Sequence, residues 1–165
     1  RPIILDNNKS CFHAKGIRHP IVEKVNDNID YVPNDVDFCE NGILLYGTNA
    51  CGKSTLMKSI GISLIMAQAG FFVPCSKLEY TPYTQLFTRI LNNDNIFKAQ
   101  SSFAVEMSEL RNILLKADHK SMILGDELCS GTENISALCI VSQGLKKYEK
   151  LSISAWRYEQ RLSSA

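Results

Sequence analysis

The chain has 165 residues, enough for one domain with a sizeable core, and its 45% hydrophobic and 21% charged content is that of an ordinary globular chain. A formal net charge of +1 is a neutral balance, which gives no electrostatic reason for this segment itself to bind nucleic acid. None of the six cysteines forms C-x-x-C or pairs with a histidine at metal spacing, so no zinc site is expected, and free thiols in a reducing intracellular compartment are.

In chain order, the opening Arg1-Pro2 without a methionine reads as an excised piece of a longer protein. Residues 1–40 read as strands and loops, with short apolar pieces at Ile3–Leu5 and Ile21–Val25 and a turn near Asn26–Asn28. Ile43-Leu44-Leu45-Tyr46 is a short apolar run, read as a buried strand. Thr55 to Ala69 lacks proline and is rich in Leu, Ile, Met and Ala, which predicts a helix. Residues 60–75 are apolar enough to raise the question of a membrane span. Lys58 and Gln68 interrupt the surrounding stretch and Gly70 and Pro74 close it, so a buried helix is expected and no membrane contact.

Residues 71–91 read as three strands: Phe71-Phe72-Val73, Leu78–Tyr80 and Gln85–Leu91. Asn92 to Gln100 is a polar loop. Phe103, Met107, Leu110, Leu114 and Ala117 recur at helical spacing, which predicts an amphipathic helix over 103–117 with Ser102 as N-cap and Glu106 near its positive end. Ser121–Gly125 is a second buried strand, and 134–147 reads as helical. Strands alternating with helices imply an α/β fold. The expected form is a mostly parallel central sheet with helices on both faces, plus a smaller antiparallel β region from the N-terminal part.

Residues 47–55 carry the chemistry. Gly47-Thr48-Asn49-Ala50-Cys51-Gly52-Lys53-Ser54-Thr55 satisfies G-x-x-x-x-G-K-S/T, between a predicted strand and a predicted helix. Such a loop turns successive N–H groups toward a phosphate, and the helix N-terminus behind it favours an anion. Lys53 suits the β- and γ-phosphates of ATP or ADP, and the Ser54 hydroxyl suits Mg²⁺. Asp126-Glu127 follows the apolar strand 121–125, at the strand end where a parallel sheet gathers ligands. The first acid suits Mg²⁺; the second suits orienting and deprotonating a water. A solvated acidic pair is the plainer alternative, and the upstream loop argues against it. Ser101-Ser102 opens a helix and reads either as a cap or as a second anion site. Tyr31 reads as a core aromatic or a base-stacking one, and its spacing favours core. His13, His19 and His119 are isolated, and His19-Pro20 looks structural.

Several segments together resemble the ATPase domain of the MutS family of DNA mismatch-repair proteins. Arg18-His19-Pro20-Ile21-Val22-Glu23 is similar to its R-H-P-x-V/I-E segment, and the phosphate loop to G-P-N-x-x-G-K-S-T. Phe72-Val73-Pro74-Cys75 resembles Y/F-V-P-A, and Phe87-Thr88-Arg89-Ile90 resembles F-T-R-I/V. Ser101-Ser102-Phe103-Ala104-Val105-Glu106-Met107 resembles S-T-F-x-V-E-M, where ABC transporters carry L-S-G-G-Q. Gly125-Asp126-Glu127-Leu128-Cys129-Ser130-Gly131-Thr132 resembles D-E-L/I-G-R-G-T, and the order holds over roughly residues 10–145.

The resemblance implies a P-loop NTPase of ABC-ATPase type that hydrolyses ATP at composite sites formed by dimerisation. Tyr31 would stack on adenine with Val32 beside it. Asn49 would lie near the γ-phosphate, and Gly47, Thr48, Ala50, Cys51, Gly52, Lys53 and Thr55 would complete the cradle. Ser54 and Asp126 would hold Mg²⁺, Glu127 would be the catalytic acid, and Ser101 would act in trans on the partner's nucleotide. A homo- or heterodimer is implied, as are mismatched double-stranded DNA, bound through domains absent here, and other repair proteins.

Thr48, Cys51, Ala99 and Cys129-Ser130 depart from the family pattern and mark a divergent member. The family continues to a strand ending in T-H, but residues 148–165 contain no histidine. The expected organisation is therefore a MutS-like module over 1–147, incomplete at its C-terminus, and a tail of uncertain or unrelated sequence over 148–165.

Two alternatives compete. A chromosome-maintenance type ABC ATPase needs a long coiled coil between its motifs, and only about 70 residues separate Gly52 from Asp126. A nucleotide-binding interaction module without turnover is the other, and the missing histidine favours it for the isolated chain. A P-loop kinase leaves the 101–107 segment unexplained.

Overall fold

The computed structural model describes residues 1–25, 30–39, 42–48, 51–89, 102–126 and 156–157. Eight strands and three helices follow one another among these residues. They are β1 (Ile3–Ile4), β2 (Cys11–Ile17), α1 (Pro20–Val25), β3 (Asn34–Cys39), β4 (Leu44–Leu45), α2 (Lys53–Gln68), β5 (Lys77–Tyr80), β6 (Gln85–Arg89), α3 (Ser102–Lys116), β7 (Ser121–Gly125) and β8 (Trp156–Arg157).

The strands form two sheets. One has the order β1-β5-β2-β3 and is mixed: β2 runs antiparallel to both β3 and β5, and β1 pairs parallel with β5. The other has the order β4-β8-β7-β6, and every pairing in it is parallel. The expected parallel sheet is present, but the β1-β5-β2-β3 sheet is mixed rather than antiparallel, has four strands like the parallel one, and takes β5 from outside the N-terminal part. Period-two alternation explains the mixed sheet. Phe12, Ala14, Val36, Phe38, Leu78 and Tyr80 turn to one buried face, while Lys15, Asp37 and Lys77 alternate outward. Every residue of β7 is buried, as a central parallel strand requires.

One core joins the two sheets through α2. Met57, Ile60, Leu64 and Ala67 of that helix share a cluster with Phe12, Val36 and Leu78 of the first sheet and Met122 and Leu124 of the second. Burying each large apolar side chain contributes about 1.5–3 kcal/mol. Phe12 and Phe38 stack with centroids 5.5 Å apart, which adds about 0.5–1.5 kcal/mol. Helix α2 ends in a Schellman motif: the Gly70 N–H donates to Ala67 O and the Phe71 N–H to Met66 O. Gln68 then clamps the next connection, donating to Tyr83 O and accepting from the Tyr83 N–H. No helix among the described residues is long and apolar enough to cross a membrane.

Four further expectations are corrected. Ile21–Val25 is helical, not a strand, because Pro20 sits at the first helical position and His19 caps it. The His19 Nδ1 accepts from the Val22 N–H at 3.3 Å, and its carbonyl accepts from the Glu23 N–H. Burial, and then the charge of Lys58, lower the His19 pKa, which favours this neutral, accepting form. Phe71–Val73 pairs with no strand; Phe71 and Phe72 emerge exposed after the Schellman turn. Tyr46 is not a buried strand residue, since β4 ends at Leu45 and Tyr46 is 83% exposed.

The fourth correction concerns the thiols. Cys11 and Cys39 are joined by a disulfide, because the β2–β3 register sets them directly opposite with Cα atoms 4.0 Å apart. The reducing compartment inferred from free thiols loses the support of this pair. Cys51 and Cys75 are free, as expected. The expected helix over 134–147 lies outside the described residues, as do Cys129 and Cys139. Two residues of the supposed tail, Trp156 and Arg157, pair with Leu44 and Leu45 inside the parallel sheet.

Candidate functional site

The phosphate loop begins where β4 ends and finishes where α2 begins. Gly52 makes that join in the left-handed region, with φ of 92° and ψ of 8°, a conformation other residues enter at a cost. Among the described residues other than its chain neighbours, nothing lies within 4 Å of where a Gly52 side chain would start, so an approaching group meets bare backbone. Gly52, the residue at the N-cap of α2, has no side chain to cap it. The positive end of a 16-residue helix thus opens on the loop, an arrangement suited to an anion.

Lys53 is the first residue of α2, and its side chain folds back over the loop. The ammonium donates to Gly47 O at 2.7 Å and to Thr48 O, and lies 3.6 Å from Cys51 Sγ. Lys53 is only 7% exposed, so a positive charge is held in a partly desolvated concavity. Electrostatic attraction to a phosphate is stronger there than in bulk water.

Sheet register places Asp126 beside the loop. Leu44 and Gly125 both pair with Trp156, so they stand level across one intervening strand, about 10 Å apart at the usual strand spacing. All three strands run parallel, and the loop and Asp126 therefore leave the same sheet edge. The Asp126 N–H donates to Arg89 O at 2.7 Å, which ties this turn to the end of β6. The Asp126 side chain is buried.

A cleft of about 620 Å³ joins the loop to the segment before β3. Tyr31 and Val32 line it together with Cys51, Gly52, Lys53 and Thr55. Such a volume suits a small-molecule ligand. The Tyr31 hydroxyl stands 3.5 Å from Ser59 Oγ on α2, and Ser59 Oγ donates to Thr55 O. Tyr31 is therefore braced against the helix that the phosphate loop starts.

Of the sequence-predicted site residues, Tyr31, Val32, Cys51, Gly52, Lys53 and Thr55 meet in one cleft, with Gly47 and Thr48 bonded to Lys53. Ser54 lies on the first turn of α2 and Asp126 on the shared edge. Asn49, Ala50, Ser101 and Glu127 lie outside the described residues. Tyr46 and Asn34 also line the cleft and were missed. Position next to the loop was the one available signal for Tyr46; its apolar neighbours disguised it as core.

The family model of MutS domain V matches residues 43–155. The mutS homolog L359 of Acanthamoeba polyphaga mimivirus is 39% identical over 184 residues, covering 88% of this chain and 16% of that protein. The mitochondrial DNA mismatch repair protein mutS homolog of Sarcophyton glaucum is 38% identical, covering 84% of this chain and 14% of its own length. The DNA mismatch repair protein MutS of Bacillus cytotoxicus is 41% identical, covering 83% of this chain and 15% of its own. The chain thus spans about a sixth of the length of the relatives it matches.

Proposed function

This chain belongs to the MutS family, through its domain V, and from that premise we propose that it is the ATP-binding and ATP-hydrolysing module of a DNA mismatch-repair protein. The observation that carries the reading is the meeting of Lys53, the glycine-led start of α2 and Tyr31 around one cleft, with Asp126 on the same sheet edge. The fold is then a P-loop NTPase of ABC type, and the module extends past residue 147 to include the strand at Trp156-Arg157.

Each part has a physical role. Gly52 leaves backbone N–H groups open to the phosphates, and Lys53 exchanges loop carbonyls for phosphate oxygens. Tyr31 offers a ring for the base, held by its hydroxyl against α2. A hydroxyl from Ser54 and a carboxylate from Asp126 are hard oxygen donors, a set that suits Mg²⁺. When bound, Mg²⁺ supplies charge neutralisation at the phosphates. Glu127 orients the attacking water and accepts its proton. Ser101 completes the site of a partner subunit from a helix N-terminus. Dimerisation, mismatched DNA and other repair proteins as partners follow from the same reading, with DNA held by regions outside this chain.

Calorimetric titration of the chain with ATP and ADP in Mg²⁺ tests it. One nucleotide per chain is expected, and affinity should fall when Tyr31 is replaced by alanine. No binding at millimolar nucleotide would overturn the reading.

A further inference from the structure

Strands β2 and β3 show a second chemistry on the face turned away from the core. Alternation sends Phe12, Ala14, Val36 and Phe38 inward, so Cys11, His13, Asp37 and Cys39 share the opposite face. The register pairs Cys11 with Cys39 and His13 with Asp37. One ligand atom from each of Cys11, His13 and Cys39 lies within 4.8 Å of the others. Chain spacing hid this cluster, since Cys39 comes from 28 residues away.

The histidine sets the chemistry. Its Nδ1 lies 2.6 Å from Asp37 Oδ1, so the carboxylate orients the ring. Its Nε2 faces Cys39 Sγ at 3.3 Å, so the nitrogen not engaged by the carboxylate is the one beside the sulfurs.

We propose that, once the Cys11–Cys39 bond is reduced, the two sulfurs and His13 Nε2 bind one Zn²⁺, with water as fourth ligand and Asp37 orienting the imidazole. Zn–S bonds of about 2.3 Å and Zn–N bonds of about 2.0 Å at a tetrahedral centre set ligand atoms about 3.5–3.8 Å apart. The Cys39–His13 separation is already close to that, and the two sulfurs are released from each other by reduction. Two thiolates and an imidazole select zinc over Mg²⁺ or Ca²⁺, which require oxygen donors. A carboxylate on the far nitrogen is the usual outer partner of a zinc-bound histidine. A dithiol reductant supplies the two electrons, ending as its own disulfide. The two thiols then lose their protons to solvent as the metal binds. Oxidised, the site is a covalent staple between β2 and β3; reduced, it is a metal staple in the same place. The inference is independent of the nucleotide reading.

The test uses the full 165-residue chain, reduced with a water-soluble phosphine and moved under argon to metal-free buffer. Titration with Co²⁺ should show one ion per chain, with a sulfur-to-cobalt charge-transfer band and intense tetrahedral d–d bands that Zn²⁺ abolishes. Cys11→Ser and Cys39→Ser should lose the charge-transfer band, while Cys75→Ser keeps it. Asp37 is exposed, so Asp37→Asn leaves the fold intact and should weaken Co²⁺ binding by about 10–100-fold with the band shape kept. A titration with no charge-transfer band, a band undiminished in both cysteine variants, or unchanged affinity in Asp37→Asn would each overturn the proposal.

Discussion

Replacing Lys53 by methionine separates binding from folding. Methionine keeps the buried aliphatic stem and removes the charge. A unit charge about 4 Å from a phosphate oxygen at an effective dielectric near 20 contributes about 4 kcal/mol. Against this, the ammonium must give up its bonds to Gly47 O and Thr48 O, each worth about 0.5–1.5 kcal/mol. The net loss on substitution is about 1–3 kcal/mol, or about 5- to 150-fold weaker binding. Gly47 and Thr48 are exposed, so water replaces the lost donor and stability changes by about 1 kcal/mol or less. Anisotropy of a fluorescent ATP analogue reads the first quantity, and thermal melting reads the second. Equal affinity for Lys53→Met and wild type would refute the assigned role. A fall in affinity matched by a large fall in melting temperature would refute its attribution to charge.

Two further outcomes are expected. Because His19 has its pKa lowered below the ordinary 6.5, the folded chain binds fewer protons than the unfolded chain through that range. Its contribution is complete above about pH 6.5 and is lost as pH falls toward the folded-state value, so urea midpoints should drop on acidification through this window. His19→Asn, which keeps a side-chain cap, should flatten that dependence, and an unchanged slope would contradict it. In the longer parent protein, Ser101→Ala and Lys53→Met subunits, inactive alone, should regain activity at one of two sites when mixed; demonstrable heterodimers with no activity would exclude a composite site.

Contiguous signals carried most of the legible structure. Helix α2 and strand β7 are each encoded within one stretch: β7 spans Ser121–Gly125 as read, and α2 opens at Lys53, two residues before the expected Thr55. Local context overturned Ile21–Val25, where Pro20 and the His19 cap outweigh an apolar, β-branched composition. Gly70 overturned Phe71–Val73, because the Schellman turn leaves both phenylalanines on the surface. What stayed hidden depends on register between distant segments. The Cys11–Cys39 pair, the His13–Asp37 pair and the insertion of Trp156 between Leu44 and Gly125 are all set by strand pairing, which leaves no trace in spacing. Tyr31 illustrates the middle case. Its spacing favoured the core, yet it is braced against α2 at the edge of the cleft.

Steady-state ATP hydrolysis by a longer protein that contains this domain and carries Glu127→Gln addresses the enzymatic reading most directly, with nucleotide binding measured on the same preparation. Loss of the proposed base should slow turnover by about 10²–10⁴-fold while nucleotide affinity stays near wild type. Hydrolysis at the wild-type rate would contradict the account.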